Sequence, residues 1–402
     1  MIERVDVPGL EKFSQARAFG SLLRQTLEQD PHFCLFSPDE TTSNLLDAAY
    51  DASARAWNLP TKAWDLALAP DGRVVELLSE NTLFAAMLGH ILSGEQAMMA
   101  SYEAFFPIIT SQLLQHLKFL QQSSEVDWRP SCPAVNLLST STCWRQDHNG
   151  FSHQSPMLIS TLLDRPGHYA NCLFPVDDVA AEAAYNFMLQ STNVVNLTTF
   201  NKTEEPRWID SRHAEFQYIN GGASIYEFAS TKTIEGFLAE PDFVFTAAGD
   251  IATKETLLAL DILAKDLPQV KVRFIGITAL THGAIGTHQA QLDQLTFDDY
   301  FTTQAPIIAN FHGYPATLRD ILECYTDPLR LSVHGFSEQG STTTPFEMLS
   351  LNQASRYHLC IDVAAKLGRE DLVAKYRAVL ALNQNYARSH GVDLPEIAKK
   401  SY

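Results

Sequence analysis

Residues 144–154 of the chain read Trp144-Arg145-Gln146-Asp147-His148-Asn149-Gly150-Phe151-Ser152-His153-Gln154. Polar and charged side chains dominate this stretch, and only Trp144 and Phe151 are large and apolar. A buried strand could not hold them unpaired, because each polar group left without a hydrogen-bond partner costs about 1–3 kcal/mol. Gly150 permits a turn or a close approach of the backbone. The composition predicts a loop that turns several hydrogen-bonding groups toward a ligand. The alternative is a polar loop whose histidines cap or bridge secondary structure.

The loop follows one of several predicted strands that end in polar residues. Short apolar runs predict strands at 33–36, 74–78, 134–138, 169–174 and 194–200. Periodic apolar positions predict helices at 9–29, 45–57, 82–98, 102–122 and 178–190. Polar clusters follow the strands at 37–44, 79–81, 139–154 and 201–202. Alternating strands and helices predict an α/β fold with a parallel sheet, whose strand ends share one edge and bind ligands there.

Two charged residues at these strand ends each have two interpretations. Glu80 follows the strand at 74–78 among apolar neighbours, where burial would raise the pKa of its carboxyl and allow it to share a proton with a cofactor nitrogen. It could instead complement the dipole of the following helix. Lys202 could contact a phosphate or remain a solvated lysine.

Composition narrows the class of protein. A chain of 402 residues predicts two or three domains, and a composition of 46% hydrophobic and 19% charged residues is typical of globular proteins. The net charge of −18 disfavours nonspecific binding to nucleic acid or anionic membranes. The six cysteines form no CxxC motif, so we expect neither a disulfide framework nor a structural zinc site. The compartment we expect for this chain is a reducing cytoplasm. The stretch Met1–Asp6 predicts no signal peptide, and no uncharged run reaches the length of a membrane span.

A second α/β unit follows a segment without clear periodicity. Strands are predicted at 243–247, 270–277, 307–311 and 331–334, with helices at 254–267, 346–367 and 370–390. We therefore expect a first domain at 1–205, a linker at 206–240 and a C-terminal α/β domain at 241–402.

Several motifs of the chain resemble those of the phosphoketolase family. Residues 144–154 are similar to the family's signature, and five further motifs agree with it in order and spacing: SPDETTSN (37–44), LSE (78–80), SYEAF (101–105), NFHGYP (310–315) and GSTTTPF (340–346). The similarity extends weakly from about residue 17 to 397. The resemblance implies a thiamine-diphosphate-enzyme pyrimidine-binding (PYR) domain followed by a transketolase-like C-terminal domain. It also implies cleavage of xylulose 5-phosphate or fructose 6-phosphate with phosphate, giving acetyl phosphate and an aldose phosphate.

The same resemblance implies roles for eight side chains. Glu80 matches the glutamate that hydrogen-bonds N1′ of the cofactor's aminopyrimidine, and Phe105 a ring that stacks on it. His153 matches a histidine that transfers protons near the reacting hydroxyls. The matches to residues that hold substrate or phosphate are Ser43, Tyr102, Gln146, Asn149 and Lys202. No metal ligand is expected on this chain.

The resemblance also implies that the half of the enzyme that binds the cofactor's diphosphate is not on this chain. Family members bind the cofactor's diphosphate and Mg²⁺ on a preceding domain, and the chain has no GDG-type motif for them. We therefore expect one subunit of a split phosphoketolase, working with a second polypeptide in a homo- or hetero-oligomer. The chain departs from the family at Asn81, where a histidine is usual, at Ser37, where a glycine is usual, and at the residues flanking Lys202. The alternatives are a non-catalytic scaffold or regulatory subunit, and a transketolase-like two-carbon transferase.

Overall fold

Strands and helices alternate along most of the chain. The computed structural model describes residues 5, 7–165, 167 and 169–398. The strands are β1 (Lys12–Ser14), β2 (Cys34–Ser37), β3 (Arg55–Ala56), β4 (Leu68–Ala69), β5 (Val74–Glu76), β6 (Ala97–Tyr102), β7 (Val135–Thr140), β8 (Ala170–Leu173), β9 (Val195–Thr199), β10 (Glu204–Pro206), β11 (Ala223–Ile225), β12 (Phe243–Ala248), β13 (Val272–Ile277), β14 (Ala279–Thr281), β15 (Ala284–Ile285), β16 (Ile307–Phe311) and β17 (Leu331–His334). The α-helices are α1 (Gln15–Gln29), α2 (Ala49–Ala52), α3 (Glu80–Leu92), α4 (Thr110–Ser123), α5 (Met157–Leu163), α6 (Asp178–Gln190), α7 (Ser211–Ile219), α8 (Asp250–Asp266), α9 (Gln294–Phe301), α10 (Pro315–Glu323), α11 (Pro345–Leu351), α12 (Arg356–Lys366), α13 (Glu370–His390) and α14 (Pro395–Ala398).

The larger sheet has the strand order β15-β14-β8-β9-β7-β6-β2-β5-β3-β4, and the strands from β8 to β4 run parallel. Strand β7 is buried along its whole length, as expected when helices cover both faces of a parallel sheet. Phe19 of α1 and Tyr185 of α6 pack in one apolar core, while Phe84 of α3 and Leu113 of α4 pack in the other. All the parallel strands therefore end at the same edge.

The smaller sheet has the order β11-β13-β12-β16-β17, and all of its neighbours except β11 pair in parallel. Its strands confirm those predicted near 243, 270, 307 and 331. Together the two sheets confirm the α/β class. The 206–240 segment, expected as a linker, contains α7 and β11.

The C-terminal half of the chain contributes strands to both sheets. Strands β14 and β15 lie after β13 in sequence, yet they extend the larger sheet, where Leu280 pairs with Cys172 in the antiparallel sense. The C-terminal half thus contributes an edge hairpin to the N-terminal sheet. The domain boundaries expected from the sequence remain a prediction.

Two predicted elements are wrong. Residues 97–102 form β6, a central strand, where a helix was expected to run to residue 98 and another to begin at 102. The helix expected at 45–57 is reduced to Ala49–Ala52, and β3 follows it at once. In the first case burial between β2 and β7 outweighs the helical propensity of an Ala- and Met-rich run.

The N-terminal stretch Met1–Asp6, for which no signal peptide was predicted, lies outside the described residues apart from Val5. Among the helices of the described chain, none combines the length and the apolar character that crossing a bilayer requires.

Three buried asparagines connect neighbouring strands of the larger sheet. Asn171 Nδ2 donates to Asn196 Oδ1, and Asn196 Nδ2 donates to Asn136 Oδ1, both at 2.8 Å. The three residues are directly in register on β8, β9 and β7. The backbone N–H of His288, from the C-terminal half, donates to Asn171 Oδ1 at 2.8 Å. A slip of one residue would separate these amides, so this ladder specifies the register.

Replacing Asn196 by Val is expected to lower the free energy of unfolding by about 2–4 kcal/mol, since it removes two buried hydrogen bonds and leaves Asn136 Oδ1 without this donor. Urea unfolding followed by circular dichroism measures the change. Thr198→Val is the matched control on the same strand, because its hydroxyl donates only to the sulfur of Met188. Equal stabilities of the two variants would contradict the ladder's role.

Candidate functional site

Polar and aromatic side chains from neighbouring strand ends meet at the carboxyl edge of the larger sheet. Ser43 lies in the turn after β2, and Tyr102 is the last residue of β6. Ser43 Oγ lies 3.3 Å from the hydroxyl of Tyr102 and 3.1 Å from the carbonyl oxygen of Glu40. The β6 strand that the sequence did not reveal is what places Tyr102 here.

A group of rings surrounds Tyr102. The ring of Phe105 is nearly parallel to that of Tyr102, with centroids 5.7 Å apart, and the ring of His153 meets Phe105 edge-on at 5.3 Å. Lys202, which follows β9, places Nζ 4.9 Å from the centre of the Tyr102 ring. This distance is typical of a cation–π contact. The site therefore combines flat apolar surface with a cation and an imidazole.

The loop at 144–154 folds back on itself and docks on the C-terminal half. Asn149 Nδ2 donates to Gln146 Oε1 at 2.6 Å, and Gln154 Nε2 donates to the Gln146 carbonyl at 2.7 Å. Gly150 has φ 73°, and a Cβ there would lie 2.9 Å from the Ser341 carbonyl oxygen. Gly150 is thus required both for its conformation and for close packing.

Beside this loop lies a cavity of about 280 Å³. Its lining includes four of the residues predicted to hold substrate or phosphate, together with further polar groups: Tyr102, Ser141, Arg145, Gln146, His148, Asn149, Lys202 and Thr203. A larger cavity of about 470 Å³ lies against α8, α12 and α13. Two of the charged side chains that line it, Lys375 and Asp266, form an ion pair with each other.

Two carboxyls lie close together at the same edge. Burial, together with the negative charges of Asp39 and Glu80, raises the pKa of Glu40 to about 7, against the opposing effects of the Tyr102 backbone and Lys202. Glu80 is the first residue of α3, whose N-cap is Ser79. A carboxyl with a pKa near 7 can hold or release a proton at neutral pH, and Glu80 lies close enough for its charge to contribute to this shift.

The shifted pKa of Glu40 predicts a pH dependence of stability. Because the folded state holds this proton up to about pH 7 and the unfolded chain releases it near pH 4.5, stability should fall as the pH rises through that window. Glu40→Gln should flatten this slope. Melting temperatures measured from pH 4.5 to 8 test it, with the exposed Glu125→Gln as control; a slope unchanged in Glu40→Gln would refute the assignment.

A buried ion network fixes the first turn of the loop. Arg145 Nη2 contacts Glu205 Oε1, and Lys254 Nζ donates to Glu205 Oε2 at 2.7 Å. Burial alone would raise the pKa of Glu205, but the charges of Arg145 and Lys254 outweigh it and lower the pKa to about 2. Arg145 is therefore neutralised by Glu205 of β10, which also pairs with Lys254 of α8 in the C-terminal half, and Arg145 supports the loop more than it offers charge to a ligand.

The predicted site residues are brought together in two linked groups. One contains the residues joined by ring and hydroxyl contacts: Ser43, Tyr102, Phe105, His153 and Lys202. The other lies along the cavity, where Gln146 and Asn149 share the lining with Tyr102 and Lys202. Glu80 joins them through its effect on Glu40. The roles assigned to these eight residues remain predictions.

Glu40 was not among the predicted site residues, although it stands in the SPDETTSN motif at 37–44. Its paired acidic neighbour Asp39 and its place directly after a strand were the available signals. Of the departures from the family pattern, Ser37 is fully buried beneath the site, while Asn81 is exposed on the first turn of α3.

Several buried polar atoms at this edge have no hydrogen-bond partner within the described residues. They are Ser37 Oγ, Glu40 Oε2, Ser101 Oγ and Thr142 Oγ1. Buried polar groups are normally paired, so such a cluster is typical of a surface that completes its hydrogen bonds with a ligand or ordered water. The carboxyl pair and the flat rings fit an aminopyrimidine. In the described part of the chain, the one group of close potential metal ligands is the buried set Glu103, Cys143 and His312, which does not face the cavity lining.

Comparison with known proteins decides the family. The family model for D-xylulose 5-phosphate/D-fructose 6-phosphate phosphoketolase matches residues 17–191, and the model for the C-terminal domain of the same family matches residues 202–402. The chain belongs to the phosphoketolase family. A probable phosphoketolase of Brucella abortus (strain 2308) is 37% identical over 402 residues, which cover 98% of this chain and 50% of that protein. A probable phosphoketolase of Rhodopseudomonas palustris (strain TIE-1) is 35% identical over 399 residues, which cover 97% of this chain and 50% of that protein. This phosphoketolase-family chain thus spans about half the length of these curated relatives.

Solved structures agree on the fold. A transketolase from Pichia stipitis in complex with sedoheptulose 7-phosphate has a TM-score of 0.67 at 15% identity and covers 93% of this chain and 48% of that one. A split-gene transketolase, described as an inactive β4 tetramer, has a TM-score of 0.56 at 12% identity. The match covers 87% of this chain and 96% of the transketolase chain. The phosphoketolase-family chain therefore has the predicted fold of a pyrimidine-binding domain followed by a transketolase-like C-terminal domain.

Proposed function

We propose that this chain is the pyrimidine-binding subunit of a thiamine-diphosphate-dependent phosphoketolase. The complete enzyme would cleave xylulose 5-phosphate or fructose 6-phosphate with inorganic phosphate to acetyl phosphate and an aldose phosphate. The observation that carries the proposal is the carboxyl edge of the larger sheet, where Tyr102, Phe105, His153 and Lys202 meet beside the Glu40–Glu80 pair.

Thiamine diphosphate, when bound, supplies a nucleophilic carbon and an electron sink for cleavage of the ketose. Glu80 would hold the proton at N1′ of its aminopyrimidine through a hydrogen bond, and the neighbouring Glu40 carboxyl, whose pKa is about 7, would accept or release a proton near neutral pH. Phe105, already parallel to Tyr102, would bear the pyrimidine on its face.

The remaining residues would bind and protonate the substrate. His153, held edge-on to Phe105, would move protons to and from the hydroxyls of the sugar. Ser43, Tyr102 and Lys202, with Gln146 and Asn149 in the cavity, would hold the sugar phosphate or the attacking phosphate. Lys202 supplies the positive charge that a phosphate needs in a chain with a net charge of −18.

We further propose that a second polypeptide supplies the half that binds the diphosphate and Mg²⁺. Two observations support this arrangement. The chain spans about half the length of its curated relatives, and its fold matches 96% of the chain of a split-gene transketolase. Exposed apolar side chains next to Glu80, including Leu78 at 75% exposure, support an interface at this edge.

Acetyl phosphate formation tests the proposal. The chain is purified alone and together with a candidate diphosphate-binding polypeptide, each with Mg²⁺, thiamine diphosphate, xylulose 5-phosphate and phosphate. We expect product only from the complex. Product from the chain alone would contradict the split site, a tight but inactive complex would favour a scaffold subunit, and transfer of the two-carbon unit to an aldose would favour the transferase.

A further inference from the structure

A buried acid–base pair connects the two halves of the chain beneath the site. Glu103 follows β6 and His312 follows β16, 209 residues away, yet Glu103 Oε1 lies 2.7 Å from His312 Nε2. Their side chains are 4% and 1% exposed. At this depth neither residue can reach a ligand in the cavity, so the pair does not belong to the binding surface itself.

Glu103 also connects the two segments that carry the site residues, 101–105 and 142–154. Its Oε2 accepts a hydrogen bond from the Cys143 backbone N–H at 2.7 Å, and its own N–H donates to the Thr140 carbonyl at 2.7 Å. Tyr102 and Phe105 flank it in sequence. One carboxylate thus fixes both the segment that holds the aromatic rings and the start of the cavity loop.

His312 holds the same loop from the other side. Its carbonyl oxygen accepts from Trp144 Nε1 at 2.8 Å, and its own N–H donates to the Ala248 carbonyl at 2.8 Å. Gly249 makes room for it, since a Cβ there would lie 2.7 Å from the Cβ of His312. The backbone of His312 is therefore anchored to β12 and continues directly from β16 of the smaller sheet.

The charges favour an ion pair over a metal site. Cys143 Sγ lies within 4.8 Å of the Glu103 and His312 donor atoms, but both carboxylate oxygens and the imidazole Nε2 are already engaged. Burial lowers the pKa of His312, but Glu103, assisted by Asp250, outweighs burial and raises it. Burial raises the pKa of the Cys143 thiol well above its usual range, which disfavours the thiolate that a metal requires.

We infer that Glu103 and His312 are positioning residues, which together hold segments 101–105 and 142–154 in register with the C-terminal half. The inference concerns the geometry of these segments and rests on the proposed function only where activity is the readout. The C-terminal half thereby acquires a structural role at the site, because the smaller sheet holds in place the loop at 142–154, which extends from the larger sheet.

Hydrogen–deuterium exchange of the full chain tests this without any partner. His312→Phe keeps a ring but removes the donor to Glu103, so peptides over 101–105 and 142–154 should exchange at least about 10-fold faster, while 170–173 of β8 is unchanged. His312→Gln, which keeps a donor, should restore most of the protection. Unchanged exchange in the two segments, or equal acceleration along the whole chain, would overturn the inference.

Two further variants complete the design. Asn196→Val weakens the fold away from the pair, and it should leave the two segments no more affected than the rest of the sheet; selective acceleration there would overturn the inference. If His312→Phe does not fold, Glu103→Gln, which keeps an acceptor for the Cys143 N–H but removes the charge, is judged by the same criterion.

Activity gives an independent readout in the reconstituted complex. Loss of the pair should lower kcat about 100-fold through misplacement of the site residues, and normal turnover in His312→Phe would overturn the inference. If the wild-type complex forms no acetyl phosphate, the proposed function fails, and the exchange data alone decide the role of the pair.

Discussion

Replacing Glu80 by Gln is expected to lower acetyl phosphate formation by about 10²–10⁴-fold in the reconstituted enzyme, while the complex still assembles. An amide at this position cannot exchange a proton with N1′ of the cofactor, and general acid–base catalysis of this kind contributes a rate factor of that size. Size-exclusion chromatography checks assembly, and a hydroxamate assay measures the product.

Glu95→Gln is the control for this substitution. Glu95 is a partly exposed glutamate that precedes β6, at the opposite end of the strand from Tyr102. Its replacement should leave turnover unchanged. Turnover of Glu80→Gln within a few-fold of the wild-type rate would eliminate the assignment of Glu80 to N1′.

The second large effect concerns stability. Glu205→Gln should lower the free energy of unfolding by about 3–5 kcal/mol, because it leaves the buried charges of Arg145 and Lys254 without their shared carboxylate. Urea unfolding at pH 7 measures the loss. The adjacent Glu204 is exposed, and Glu204→Gln is therefore a matched control with little expected change.

The same substitution should change the response to acid. The pKa of Glu205 is about 2 in the folded chain and near 4.5 in the unfolded one, so its contribution is complete above about pH 4.5 and is lost as the pH falls toward 2. The stability difference between wild type and Glu205→Gln should therefore shrink over that range. A difference independent of pH would show that packing, and not charge, accounts for the loss.

Much of the site follows from the sequence because it is built at strand ends. Polar clusters after apolar runs predicted the edge where Ser43, Gln146 and Lys202 now lie, since parallel strands bring such clusters together. The motifs then named individual residues through the family resemblance. The family and the fold class are confirmed, and the catalytic roles await the experiments above.

What the sequence did not reveal depends on long-range contacts. Residues 97–102 contain alanine and methionine, which suit a helix equally well, and only their position between β2 and β7 decides for a strand. Similarly, nothing near Glu103 in the sequence indicates His312, and nothing near Glu205 indicates Lys254. Sequence periodicity reports local structure, whereas these pairings depend on how the two halves pack.

The hairpin of β14 and β15 has a consequence for biosynthesis. Because this hairpin covers the β8 edge of the larger sheet, a ribosome must release the chain as far as Ile285 before that sheet is complete. Until then β8 presents an unpaired edge that can join other nascent chains. Expression of residues 1–240 alone should therefore yield aggregates, and chaperone demand should be greatest when most of the sheet has formed and its last strands are still inside the exit tunnel.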